Sequence, residues 1–104
     1  MNQRYMLIVS VWLRNNDVSR FEAFERQAAR IMAEFDGRIE RAIRISDAEA
    51  AEGGPFEIHV VSFPDEAAFR RYRQSSEYTK LAAVRDRIIA KSTILDGSEV
   101  KPYA

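Results

Sequence analysis

His59 is the only histidine in the chain, and Glu57 stands two residues before it in an alternating, β-branched segment at 55–63. On a strand, residues two apart project to the same face, about 7 Å apart along the chain. A carboxylate beside an imidazole fixes its tautomer and favours its protonated form, a usual acid/base arrangement. His59 and Glu57 are therefore the candidate catalytic pair, with the imidazole as base. Farther along, Tyr78, Leu81, Arg85 and Ile88 recur at helical spacing, which places a guanidinium among core-facing side chains. Such an arginine can hold a carboxylate or enolate through two parallel hydrogen bonds. Its plainer use is to lay its stem on the core and pair with an acid such as Glu77. Arg44 alternates with Ile43 and Ile45 and is a polar strand residue that could line the same cavity. Trp12 reads first as an interface anchor and second as a stacking platform. Arg70, Arg71 and Arg73 read as a solvated face.

Composition narrows the chemistry. The 104 residues hold no cysteine, so thiolate catalysis, disulfides and cysteine-type zinc sites are excluded. Sixteen basic against sixteen acidic residues give zero net charge, which argues against nucleic-acid partners and anionic membrane surfaces. The neutrality is uneven, for 65–91 carries seven Lys and Arg against four Asp and Glu. No phosphate loop, nucleotide fingerprint, G-x-S-x-G or H-E-x-x-H occurs, so neither a cofactor nor a metal is expected. The most apolar run, 5–13, is nine residues long, whereas a membrane helix needs about 18 or more. One cytoplasmic domain over 1–104 is the expectation.

The side chains need elements to position them. Strands are expected at 5–13, 38–46, 55–63 and 92–96, the last closed by Gly97. Phe21, Phe24, Ala28, Ile31, Met32 and Phe35 mark one amphipathic helix at about 18–36, with Glu22 and Glu25 off the stripe. Ser19 and Glu22 have capping-box spacing, and Gly37 is a fitting stop. The stretch 47–54 reads as a loop. Asp65 caps a second helical region to about 91, interrupted at Ser75 and Ser76. The order β-α-β-β-α-β predicts an α+β, ferredoxin-like fold, with a four-stranded antiparallel sheet and two helices on one face.

That sheet has a face without helices. Yet both alternating sets in the first strand are apolar, Tyr5, Leu7, Val9, Val11, Leu13 and Met6, Ile8, Trp12. The third strand divides into Phe56, Ile58, Val60, Ser62 and Glu57, His59, Val61, Phe63. An open apolar face of that extent predicts a homodimer, packed sheet to sheet.

The run FPDEAAFRRYRQSSEY over 63–78, followed by Arg85, resembles the dimeric α/β-barrel superfamily. Within it, the chain is similar to a small bacterial family catalogued as a domain of unknown function. The resemblance implies a ferredoxin-like protomer, dimerised through its sheet, with a cavity between sheet and helices. It places Tyr72, Ser75, Tyr78 and Arg85 on the cavity side. Relatives include cofactor-independent monooxygenases, isomerases, haem-degrading enzymes and ligand-sensing domains, and the haem-ligating histidine pattern is absent here. The expected function is binding of a small, partly aromatic molecule, with proton transfer or cofactor-free oxygenation by His59. The alternative is a non-catalytic ligand-sensing or dimerisation module.

Overall fold

The structure, a computed structural model, describes residues 3–103; the expected domain, 1–104, extends beyond them by residues 1, 2 and 104. Strands β1 (Tyr5–Leu13), β2 (Arg38–Arg44), β3 (Glu57–Phe63) and β4 (Ile89–Ser98) form one sheet in the order β2-β3-β1-β4. All neighbours are antiparallel. Helices α1 (Val18–Ala33), α3 (Glu66–Gln74) and α4 (Ser76–Arg85) cover one face, and a short α2 (Asp47–Ala51) lies in the β2–β3 connection. This is the α+β, ferredoxin-like fold the element order predicts. It is a thin slab, 17 Å through its smallest dimension, as two layers require.

The core lies between sheet and helices. Leu7 and Val11 of β1 meet Val61 and Phe63 of β3, and α1 lays Phe21, Phe24, Ala28, Ile31 and Met32 over them. Ala68 and Tyr72 of α3 and Leu81 of α4 close the other half.

Several local expectations change. Asp17, not Ser19, caps α1, its carboxylate accepting from the Arg20 amide at 3.1 Å. Asn16 takes a left-handed turn there (φ 53°), which starts the helix before a Ser19 box could form. At the other end Asp36 holds the left-handed position (φ 58°) and Gly37 does not. Gly37 is needed for space instead, because a Cβ there would run into the Phe63 ring. The 47–54 stretch forms α2, capped by Ser46 and ended at Gly53 (φ 94°). The second helical region is two helices. Ser75 ends α3 and caps α4 with one hydroxyl, which donates to the Tyr72 carbonyl at 2.8 Å and accepts from the Tyr78 amide at 3.1 Å.

The fourth strand is longer than expected, and it starts at Ile89 and runs through Gly97. Its register with β1, Tyr5 opposite Ser98 and Leu13 opposite Ile89, draws both flanks into the ladder. A short apolar pair such as Ile88-Ile89 carries no period, so helix and strand cannot be told apart there. Phe56 precedes β3 and turns inward, its ring meeting Phe21 edge-on at 5.5 Å. It leaves the set with Ile58 and Val60.

Candidate functional site

The alternation of β3 decides which polar groups enter the core. Glu57, His59, Val61 and Phe63 are opposite Val11, Val9, Leu7 and Tyr5, so all face the helices. His59 is 4% exposed and Glu57 is 8% exposed. The side chains close the gap between their positions: His59 Nε2 is 2.6 Å from Glu57 Oε2. Glu57 Oε1 accepts from Arg44 Nε at 2.7 Å. Burial pushes the Glu57 carboxyl upward, but the hydrogen bonds and charges of His59 and Arg44 outweigh it and hold it below the usual carboxylate range. An ionised carboxylate only accepts, so in the neutral ring Nε2 carries the proton and Nδ1 the lone pair.

Nδ1 faces a second carboxylate. Glu25 Oε2 of α1 is 3.7 Å away, too far for a hydrogen bond and close enough for both groups to meet one ligand atom. Burial pushes the Glu25 carboxyl up, with His59 and Arg85 opposing and Glu57 adding to the rise. Two carboxyls flanking one imidazole are thus displaced in opposite directions, a pattern that separates acid from base. Sequence reading placed Glu25 on the polar side of α1. It lies four residues after Phe21 and three before Ala28, one helical step from Met32's line, and that spacing was the available signal.

A cavity of about 110 Å³ adjoins this pair. Its walls are mainly apolar, including Leu7, Val9, Phe24, Met32, Phe69 and Leu81, with Glu25, His59, Tyr72, Tyr78, Arg73 and Arg85 as the polar-tipped lining. Tyr72 and Tyr78 meet edge-on with centroids 4.9 Å apart. Burial raises the Tyr72 phenol first, and no hydrogen bond contributes to that rise. Arg85 donates to Ser92 of β4. The cavity reaches β4, where Ile94 in its lining is 44% exposed although it stands opposite Val9 on the helix side.

The structure therefore brings together His59, Tyr72, Tyr78 and Arg85, with Glu57 directly behind the imidazole. It separates three other expected ligand residues from them. Ser75 spends its hydroxyl on helix capping, away from the lining. Arg44 lies at the sheet edge, bridging Glu57 and Glu22 and covering the Phe56 ring at 4.3 Å. Trp12 is on the opposite face of the sheet, its Nε1 donating to the Gly53 carbonyl at 3.0 Å, with Lys91 Nζ 4.5 Å from its ring centroid. Arg73 is exposed, as expected, and also borders the cavity. Among the described residues, no group of three His, Cys, Asp or Glu side chains is placed to hold a metal ion. No helix among them is long and apolar enough to cross a membrane.

A family model described as a domain of unknown function (DUF1330) matches residues 5–103. No curated protein matches the chain. Among solved structures, a protein of unknown function from Rhodopseudomonas palustris is similar at 13% identity and a TM-score of 0.78, over 98% of this chain and 86% of that one. A Nitrosomonas europaea protein, provisionally named an antibiotic biosynthesis monooxygenase, is similar at 11% identity and 0.73, over 100% and 97%. A dimeric ferredoxin-like protein of unknown function from Thermobifida fusca is similar at 13% identity and 0.66, over 95% and 93%. At these identities the likeness is one of fold.

Proposed function

The chain belongs to DUF1330, a family of unknown function matched across residues 5–103, and from that premise we propose that it is a single-domain homodimer binding one small organic molecule per protomer. The ligand occupies the cavity between sheet and helices, where His59 moves a proton. The observation that carries this reading is the placement of a neutral-ring lone pair, His59 Nδ1, beside a cavity of about 110 Å³. An apolar cavity of about 150 Å³ takes a benzene ring, so this smaller space limits the ligand's buried part to no more than about one ring.

In the step proposed, Nδ1 takes a proton from a C–H beside a carbonyl, and the electron pair moves to the carbonyl oxygen. Arg85 or Tyr78 stabilises that oxyanion, while Glu57 steadies the imidazolium through Nε2. Return of the proton to a different carbon completes an isomerisation. Attack of the same carbanion on dioxygen instead begins an oxygenation without a cofactor, in keeping with the name of the Nitrosomonas europaea neighbour. The tight packing of His59 favours a second reading, in which the site binds and senses the ligand without turning it over.

The dimer reading rests on the bare face. Ile8 is 40%, Ile43 50% and Leu95 69% exposed there, beside Met6, Ile58 and Val60. A contiguous apolar sheet face of this kind is stable in water when a second copy covers it. The Thermobifida fusca neighbour is described as dimeric.

A ligand-stabilisation screen of quinones, lactones and aromatic acids tests the cavity reading by the shift in melting temperature. A concentration-dependent rise in the native protein, followed by turnover that His59→Ala abolishes, is expected. No shift from any compound overturns it; binding with turnover unaffected by His59→Ala removes the catalytic role.

A further inference from the structure

Among the described residues most arginines have no carboxylate within ion-pair distance, and the two that line the cavity are among them. Arg4, Arg38 and Arg44 each lie within 4.0 Å of a glutamate. Arg85 is bonded to the Ser92 hydroxyl, a neutral group. Arg73 lies over two rings, 5.6 Å from the Phe69 centroid and 5.2 Å from that of Tyr78. Among the described residues neither has a carboxylate at ion-pair distance. The one carboxylate in the lining, Glu25, faces His59 Nδ1 at 3.7 Å and is at ion-pair distance from neither arginine.

Arg85 is half-buried, where a guanidinium beside an apolar wall is unfavourable without a counter-charge and an anion that reaches it is bound more strongly than in water, while Arg73 lines the same cavity from an exposed position and adds its charge there. Arginine is suited to a planar carboxylate, which it can meet with two parallel hydrogen bonds. The surrounding segment adds attraction at a distance, since 65–91 carries seven basic against four acidic residues. Resting on the cavity reading above, we propose that the ligand is a small organic carboxylate, its charged end held by Arg73 and Arg85 and its ring-sized apolar body lying on Val9, Met32 and Phe69. His59 and Glu25 then face the atoms next to the carboxylate.

The test compares benzoate and phenylacetate with their neutral isosteres benzamide and phenylacetamide, by melting-temperature shift and by calorimetry, on the native protein, Arg85→Gln, Arg73→Gln and Arg85→Lys. Arg71→Gln, outside the lining, is the control. The carboxylates should bind at least tenfold more tightly than the amides and weaken as salt is raised. Arg85→Gln and Arg73→Gln should each lose that preference by tenfold or more, Arg85→Lys should keep part of it, and Arg71→Gln should match the native protein. Circular dichroism confirms that each variant is folded. Amides binding as well as carboxylates, unaffected by either glutamine variant, would overturn the carboxylate assignment and leave the cavity reading standing. If none of the four compounds binds, the carboxylate assignment fails, and the broader screen of quinones and lactones separately decides the cavity reading.

Discussion

The two faces of the sheet invert the usual placement of side chains. The face under the helices buries a histidine and a glutamate, while the face away from them leaves Ile8, Ile43 and Leu95 in contact with solvent. Burial of polar groups is sustainable where they satisfy one another, and the Arg44–Glu57–His59 chain does so. Exposure of apolar groups has no such internal remedy, and a second copy is the remedy proposed. On the reading proposed, the covered face gives up apolar packing for a polar site. On the same reading, the open face keeps its apolar surface for assembly.

The largest effect should separate the faces by stability. Phe63 is fully buried and its ring lies over Gly37. Phe63→Ala should cost about 3–5 kcal/mol in urea unfolding, independently of protein concentration. On the open face, Leu95→Asp or Ile8→Asp should leave each protomer folded and roughly halve the mass measured by light scattering. A native mass of one chain would break the comparison at its second half.

The two carboxyls beside His59 should give opposite pH responses. Glu57 sits below its ordinary value of 4.5 when folded, so the stability it contributes is present above pH 4.5 and is lost as pH falls through its folded value. Glu57→Gln should therefore be less stable than the native protein near pH 7, with the gap closing in acid. Glu25 sits above 4.5 when folded, so the stability it contributes is fully present below pH 4.5 and is lost as pH rises through its raised folded value. Glu25→Gln should melt a few degrees higher than the native protein near pH 7, and that advantage should vanish below pH 4.5. Equal signs for the two variants would show that they do not share one imidazole in the manner described. The smallest effect belongs to Trp12→Phe, which removes the bond to Gly53. It should cost about 1 kcal/mol and speed amide exchange in 47–54 without changing ligand binding.

Much of this was legible beforehand because it rests on local patterns. The β1 boundaries, Pro64 after β3, Asp65 as a cap and Ser75 as the break between helices follow from alternation and turn chemistry. Glu25 borders the apolar stripe, so its spacing alone allows either side of α1, and only the cavity beneath the helix decides which side it serves. Gly37 was assigned a conformational role, whereas the need for it comes from Phe63, twenty-six positions away. Strand alternation for Arg44, the family resemblance for Ser75 and aromatic character for Trp12 each suggest a place in the cavity, but none carries the distances that put Arg44 at the sheet edge, Ser75 in a helix cap and Trp12 on the other face.

The amino-acid sequence by itself determined the element order, the fold it permits, the pairing of Glu57 with His59 on one strand face, and an apolar excess too large for one core. Each depends on periodicity and neighbour chemistry within a few residues. Tertiary structure alone decided which sheet face the helices cover, that Glu25 closes the other side of the imidazole, and that Arg73 and Arg85 share a cavity without carboxylate partners. Those outcomes depend on how β3, α1, α3 and α4 meet in space, and side chains far apart in sequence acquire their protonation and charge balance only there.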